Sequence, residues 1–222
     1  MAVHLEREIE KLKRSILSLS ARVEECVRNA VRSIEDRDGE LAEKVIQDDL
    51  RVDQMEVEVE EECLKILALY QPVAIDLRFV IAVIKINNDL ERIGDLAVNI
   101  AERAVYLAGQ KRTGIPFDFA DMSAKTQAML KGSLDALVNM DASMARDVCA
   151  SDDEVDDIHR QMYSQIEDSI RRDPDRAEAL IDLLGVSHNL ERIADLATNI
   201  AEDVIYMIDG EIIRHRKAGD EA

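Results

Sequence analysis

The chain has 222 residues, of which 47% are hydrophobic and only 3% are aromatic, so its core must be built from aliphatic side chains. With 8 glycines and 3 prolines, the composition favours long helices over a sheet-rich fold with many turns. A net charge of −19 disfavours direct binding to nucleic acids and to anionic lipid surfaces, and it makes multivalent cations and basic partner proteins the natural ligands.

The N-terminal segment predicts where the protein resides. Residues 1–15 carry charges where a signal peptide would be apolar, and the longest apolar run, residues 79–84, is too short to span a bilayer. Three widely spaced cysteines form no CxxC pair, so neither a disulfide framework nor a zinc knuckle is indicated. We therefore expect a cytoplasmic protein without membrane insertion.

The first predicted helix covers residues 4–36, where apolar residues recur at steps of three and four. Gly39 is predicted to end this helix, because glycine tolerates the left-handed conformation that follows helix C-termini. A second helix follows and ends at Gln71, since Pro72 lacks an amide donor and disfavours helix in the residue before it.

The third predicted helix covers residues 73–108 and would be about 54 Å long, given the helical rise per residue. A helix of this length suits a long three-helix bundle. Gly114 and Pro116 then interrupt the helical pattern. We therefore assign residues 1–111 to a first three-helix unit and residues 112–118 to a linker.

The second half, residues 119–222, repeats this order of events. It shows a helical pattern near residues 120–140, an acidic helix near residues 151–172, a break at Asp173 and Pro174, and a last long helix to about residue 209. The same plan in both halves predicts two units of similar architecture.

Sequence identity between the last helices of the two halves supports a duplication. Residues 90–107, LERIGDLAVNIAERAVYL, match residues 190–207, LERIADLATNIAEDVIYM, at 12 of 18 positions without gaps. Similar apolar stripes would explain the matching Leu, Ile and Ala, but not the matching charged and Asn residues. We therefore predict an all-α fold of two tandem, pseudo-symmetric three-helix bundles.

The duplicated segments carry acidic residues away from the apolar stripe. Glu91 and Asp95 are four residues apart, so their side chains lie one above the other on the helix surface. Like charges in this arrangement repel, and the pair recurs at Glu191 and Asp195. A bound cation is the simplest way to offset the repulsion, because hard metal ions prefer clustered carboxylate oxygens.

The preceding helix of each half supplies a matching acidic pair. In an antiparallel hairpin, two helices would then present four carboxylates to one polynuclear metal site on the outer surface of the bundle. The predicted ligands are Asp49, Asp53, Glu91 and Asp95 in the first half and Asp152, Asp156, Glu191 and Asp195 in the second. We expect divalent or trivalent metal ions there, with iron or zinc first and manganese, nickel or magnesium as alternatives.

Three other interpretations of these residues remain open. The carboxylates could form solvated faces that only maintain solubility, or the protein could be a helical spacer without metal. It could also be a carboxylate-bridged di-metal enzyme in which His159 and His188 join acidic ligands around an inner cavity. The first half has Glu56 and Asn88 at the corresponding positions. We therefore predict that both histidines are surface residues, with metal ligation as the alternative, and that the protein is not an enzyme.

The duplicated segments, the QPVAIDLR turn into the third helix and the closing EDVIYMIDGEIIRH together resemble the PhoU family over essentially the whole chain. The resemblance implies two three-helix bundles, E(D)xxxD motifs that bind metal clusters, and frequent dimerisation, so a homodimer is expected. It further implies negative regulation of phosphate uptake and phosphate-starvation signalling, through the ATPase subunit of the phosphate importer and a sensor histidine kinase. The chain departs from a strict repeat at Ala194, which stands where the first half has Gly94, and the segment from Asp152 to Asp156 is the weaker match.

Overall fold

The computed structural model of the chain describes residues 2–110 and 119–210, and these residues contain helices but no β-strand. The first half consists of α1 (Ala2–Asp36), α2 (Gly39–Tyr70) and α3 (Ala74–Ala108). The second half consists of α4 (Phe119–Asn139), α5 (Ala142–Ala150), α6 (Asp152–Arg172), a 3-10 turn at Pro174–Arg176 and α7 (Ala177–Asp209). The predicted all-α class is confirmed, whereas the predicted linker, 112–118, lies outside the described residues. None of the described helices is long and apolar enough to cross a membrane.

The helices form two bundles that share one core. In the first half α1, α2 and α3 pack against one another, and in the second half α4, α5 and α6 pack around α7. The apolar stripe predicted for the third helix is buried along its whole length, from Phe79 to Leu107. Packing of α3 against α7, and of α1 against α4, joins the two cores into a single hydrophobic cluster. The predicted pair of tandem three-helix bundles is therefore confirmed.

The turn between α1 and α2 differs from its prediction. Gly39 does not end the first helix but is the first residue of α2. Arg37 adopts the left-handed conformation instead, with φ of 55°, and the carboxylate of Asp38 accepts a hydrogen bond from a backbone N–H in the first turn of α2. The second half repeats this turn at Met140, with φ of 52°, and Asp141, which caps α5 in the same way. An N-cap aspartate after a left-handed residue therefore begins the second helix of each half.

The second helix of the second half is broken into two pieces. We predicted one acidic helix near residues 151–172 and no helix between residues 140 and 151, so α5 is an element that the prediction missed. Together α5 and α6 correspond to the continuous α2 of the first half, with residue numbers shifted by 103. The break falls at Ser151, whose Oγ donates to the carbonyl oxygen of Asp147 at 2.9 Å. Asp152, the first predicted ligand of this half, therefore lies at the N-terminus of a new helix.

Two ion pairs cross the seam between α3 and α7. Lys85 Nζ lies 3.2 Å from Asp203 Oδ1, and Arg103 Nη1 lies 2.8 Å from Asp182 Oδ1. Both cations are on α3 and both anions are on α7. Gly185 makes room for the second pair, because a Cβ atom at this position would collide with the guanidinium of Arg103. The two halves therefore meet through complementary charges as well as through apolar contacts.

Candidate metal centres

The first candidate centre lies between α2 and α3 and contains the four carboxylates predicted for the first half. Burial, followed by the negative charges of Asp53 and Asp95, raises the pKa of Asp49 to about 6. Burial also raises the pKa of Glu91, and the neighbouring charges of Asp95 and Asp53 act in the same direction. Charges on α2 and α3 therefore act on one another, but among the described residues these four carboxylates do not bring three oxygens within 4.8 Å of one another as the second half does.

A close approach of the two helices positions Asp49. A Cβ atom at Gly94 would lie 3.2 Å from Val52 Cγ1 and 3.7 Å from Asp49 Oδ1. The absence of a side chain at residue 94 thus lets α2 pack tightly on α3 beside the acidic pair. The glycine of the first acidic segment is part of the site's architecture.

Glu56 joins the first centre, although it was not among the predicted ligands. Asn87 Nδ2 donates hydrogen bonds to Glu56 Oε1 at 3.1 Å and to the Glu56 carbonyl oxygen at 3.0 Å. Burial and the charges of Glu60 and Asp53 raise the pKa of the Glu56 carboxyl. An amide on α3 thus fixes a fifth carboxylate on α2, a contact between helices that spacing along one helix does not reveal.

The second candidate centre lies between α6 and α7. Asp156, Glu191 and Asp195 each place a carboxylate oxygen within 4.8 Å of the other two. Partial desolvation by the neighbouring side chains raises the pKa values of Glu191 and Asp195, and the charge of Asp156 acts in the same direction on both. The structure therefore gathers three of the four residues predicted for this half within reach of one ion.

Asp152, the fourth predicted residue, lies beside this group. Its Oδ1 accepts a hydrogen bond from Thr198 Oγ1 at 3.3 Å. Burial raises its pKa, as do the charges of Asp195 and Asp156, whereas the Thr198 hydrogen bond lowers it. The first half has Val98 in place of Thr198, so the two centres differ in the groups that hold the carboxylates.

The two histidines also belong to the second centre. His188 is exposed and His159 is half-buried, so the prediction that both are surface residues holds for His188 and only in part for His159. A ring nitrogen of each histidine and an oxygen of Glu191 lie within 4.8 Å of one another. The two imidazole rings lie 5.8 Å apart between centroids. The histidines were underweighted because the first half has no histidine at either position.

The residues of the second centre fit a bound metal ion, and those of the first centre offer the same carboxylate donors at wider spacing. Arg92 and Arg192 lower the pKa values of Glu91 and Glu191, yet the net direction for both carboxyls is upward. The Oε2 atom of Glu191 is buried and accepts no hydrogen bond within the described part of the chain. Mutually repelling carboxylates and an unbonded buried oxygen form the donor set of a hard divalent or trivalent cation.

The position of the centres does not suit the di-metal enzyme interpretation. Such a site needs ligands that project inward around a substrate cavity. Asp95 and Asp195 are exposed, and the side chain of His188 is 58% exposed. Both centres therefore lie on the outer surface of the bundles, where a bound ion could link two helices or contact a partner protein.

Comparison with known proteins gives the same family from sequence and from structure. The family model of the PhoU domain matches the chain twice, over residues 16–104 and 119–204. A phosphate-specific transport system accessory protein PhoU homolog of Clostridium acetobutylicum is 34% identical over 207 residues, which is 93% of this chain and 94% of that protein. The corresponding homolog of Aquifex aeolicus is 36% identical over 210 residues, which is 95% of each chain.

Two solved structures are similar to this fold over nearly their whole length. The crystal structure of PhoU from Pseudomonas aeruginosa superposes with a TM-score of 0.89 at 35% identity and covers 93% of this chain and 99% of that one. The crystal structure of the phosphate transport system regulatory protein PhoU from Streptococcus pneumoniae gives a TM-score of 0.82 at 29% identity, with 94% and 98% covered.

Proposed function

The chain belongs to the PhoU family, and we propose that it is a metal-binding regulatory adaptor that restrains phosphate uptake and phosphate-starvation signalling. Relatives of nearly the same length are named accessory proteins of the phosphate-specific transport system, and a structural relative is named its regulatory protein. These names describe regulators of transport and not enzymes. We assign the same regulatory role in phosphate transport to this chain.

The duplicated acidic centres support the metal-binding part of the proposal. The observation that carries it is the second centre, where three carboxylates converge within 4.8 Å although their charges repel. Asp49, Asp53, Glu91 and Asp95 would hold ions in the first half, with Glu56 beside them. Bound cations would supply the positive charge that offsets the repulsion and would link α2 to α3 and α6 to α7.

The charge of the molecule supports an adaptor that binds proteins. A net charge of −19 favours partners with basic surfaces. We propose that these partners are the ATPase subunit of the phosphate importer and a sensor histidine kinase, that the adaptor meets them in the cytoplasm, and that it acts as a homodimer.

Elemental analysis tests the metal-binding part. Protein purified without chelator should contain stoichiometric metal, namely iron or zinc, or manganese, nickel or magnesium, and the Asp95→Ala/Asp195→Ala double variant should lose most of it because each centre loses a ligand. Glu61→Ala/Glu167→Ala is the matched control, since it removes the same charge from exposed positions of α2 and α6. Wild-type protein without metal, or a double variant that keeps its full metal content, would contradict this part.

A reporter of phosphate starvation tests the regulatory part. In a bacterial host that lacks its own PhoU protein, the wild-type chain should restore repression of the reporter in phosphate-rich medium, and Asp95→Ala/Asp195→Ala should not. The Glu61→Ala/Glu167→Ala control should repress like the wild type. Failure of the wild type to repress, in a host where the importer and the kinase are present, would contradict the adaptor role.

A further inference from the structure

We propose that the two centres select different metals, because His159 and His188 make the second centre a mixed nitrogen and oxygen site whereas the first centre offers oxygen alone. The second centre would take a borderline divalent ion such as Zn²⁺, and the first centre a harder ion such as Mn²⁺ or Mg²⁺. This inference rests on the proposed metal-binding role and assigns a ligand type to each centre.

The geometry of the histidines suits a shared ion. One ring nitrogen of His159, one of His188 and an oxygen of Glu191 lie within 4.8 Å of one another. Zn²⁺ binds nitrogen and oxygen ligands at about 2.0–2.2 Å, so small side-chain rotations would bring all three atoms to one ion. The exposed ring of His188 and the surface position of the centre leave the ion a path of entry.

A buried hydroxyl orients His159 toward this position. Ser187 Oγ lies 2.7 Å from His159 Nδ1, and the same hydroxyl donates to Met122 Sδ at 3.4 Å. The contact with Ser187 holds the imidazole ring at Nδ1. In the tautomer in which Nδ1–H donates to the hydroxyl oxygen, Nε2 of His159 carries the lone pair that a metal ion needs. Metal-binding histidines commonly donate their second N–H to a neighbouring group, which fixes the ring and its tautomer.

The carboxylate of Glu191 is the second pointer to a ligand. Its Oε2 is buried and accepts no hydrogen bond, and His188 Nδ1 lies 3.4 Å from it. The two atoms form an ion pair only when His188 is protonated, so beside a neutral imidazole this buried oxygen has no donor, which is unfavourable. An ion bound between His188, His159 and Glu191 would satisfy this oxygen and both ring nitrogens.

The first half builds the same contact with different chemistry. Asn87 and Glu56, which occupy the positions of Ser187 and His159, also meet across the two helices, with Asn87 Nδ2 3.1 Å from Glu56 Oε1. In each half, a side chain on the last long helix thus orients a residue on the preceding helix. The oriented residue is a carboxylate, Glu56, in the first half and an imidazole, His159, in the second. Imidazole suits Zn²⁺, whereas carboxylates suit Mg²⁺ and Mn²⁺.

The experiment uses the full-length protein, stripped of metal, with three variants. His159→Gln/His188→Asn removes the nitrogen ligands, and Ser187→Ala removes the group that orients His159. Asp49→Asn/Asp53→Asn is the matched control in the first centre. Circular dichroism verifies that each variant is folded, and the single variant His188→Asn, at an exposed position, replaces the double variant if that one does not fold.

Zn²⁺ affinity is measured by competition with a chromogenic chelator, and Mn²⁺ binding by electron paramagnetic resonance. The histidine double variant and Ser187→Ala should bind Zn²⁺ at least about 10-fold more weakly than the wild type and should keep Mn²⁺ binding. The Asp49→Asn/Asp53→Asn control should show the reverse pattern. With only four histidines in the chain, ¹⁵N labelling of histidine gives a direct readout, since Zn²⁺ should shift the Nε2 resonance of His159.

Two outcomes separate failure of this inference from failure of the proposed function. Zn²⁺ affinity that is equal in the wild type and the histidine variants, with no shift of any imidazole nitrogen, would overturn the mixed site while Mn²⁺ binding still supported the metal role. A wild-type protein that binds neither Zn²⁺ nor Mn²⁺ would overturn both.

Discussion

Asp49 illustrates, at the scale of one residue, how the clustered carboxylates destabilise the metal-free fold. Its pKa is raised from the ordinary value of 3.8 to about 6, chiefly by burial and then by Asp53 and Asp95. A raised folded-state pKa gives a stabilising contribution that is fully present below the ordinary pKa and is lost as the pH rises through about 6. At neutral pH the ionised side chain therefore opposes folding until a cation binds.

We expect Asp49→Asn to make the metal-free protein more stable than the wild type at about pH 7.5, and the difference to shrink toward about pH 5 as Asp49 takes up its proton. Thermal unfolding of both proteins in chelator, at several pH values, measures this. The lowered pKa of His159 changes stability with pH in the opposite direction, but this effect is the same in both proteins and cancels in the comparison. A variant that is less stable than the wild type at about pH 7.5 would contradict the expectation.

The acidic residues could be predicted because the duplication repeats them at fixed spacing along one helix. The side chains that contact these acidic residues could not be predicted, because the contacts form between different helices. Ser187 and His159 come together through the register of α6 on α7, and Thr198 reaches Asp152 in the same way. Hydrophobic periodicity predicts which face of a helix is buried, but not which side chains of the neighbouring helix stand opposite.

At the scale of elements, the outer face of α2 differs from its counterpart in the second half. Leu50, Val57 and Leu64 lie seven residues apart on α2 and are 77%, 49% and 54% exposed. The corresponding residues of the second half are all charged and exposed, namely Asp153, Arg160 and Glu167. The same position in the fold thus accepts either kind of side chain.

We expect the triple variant Leu50→Asp/Val57→Arg/Leu64→Glu to fold with nearly unchanged stability, within about 0.5 kcal/mol per substitution. The control is Ile66→Ala on the same helix, which should lose about 2–5 kcal/mol because Ile66 is buried. Urea unfolding of the three proteins gives the comparison. A triple variant as unstable as the control would show that the exposed residues Leu50, Val57 and Leu64 stabilise the fold.

Helix boundaries were harder to predict than helices. The long helices of the first half follow from sustained apolar periodicity, and their buried stripes match the prediction. The stop assigned to Gly39 was wrong because Arg37 takes the left-handed conformation there, as Met140 does in the second half. With no glycine at Met140 and only nine residues in α5, the sequence offered too short a pattern to separate that helix from a loop.

At the scale of the whole molecule, the seam between α3 and α7 holds the two halves together. Asp203 is almost fully buried, whereas the side chain of Asp182 is 22% exposed. The cation of each pair comes from α3, as Lys85 for the first and Arg103 for the second. A partly exposed ion pair is screened by water, so the two pairs should contribute unequally to stability.

We expect Lys85→Ala to lower the free energy of unfolding by about 1–3 kcal/mol, since it removes the cation beside a buried carboxylate. Arg103→Ala should cost less than about 1 kcal/mol, because both side chains of its pair are partly exposed to solvent. Urea denaturation of the two variants beside the wild type measures both values. Equal losses, or a larger loss for Arg103→Ala, would contradict this ranking.

The signs of the charges along this seam also disfavour pairing of a half of the chain with the same half of another copy. If two first halves paired through α3 as α3 pairs with α7, Lys85 of each copy would face Arg103 of the other, and like positive charges would meet at both ends of the contact. If two second halves paired through α7, Asp182 of each copy would face Asp203 of the other, and like negative charges would meet. A half-length polypeptide cut from either part of this sequence would therefore repel its own twin. We therefore expect each half, when produced alone, to associate with the other half rather than with a second copy of itself.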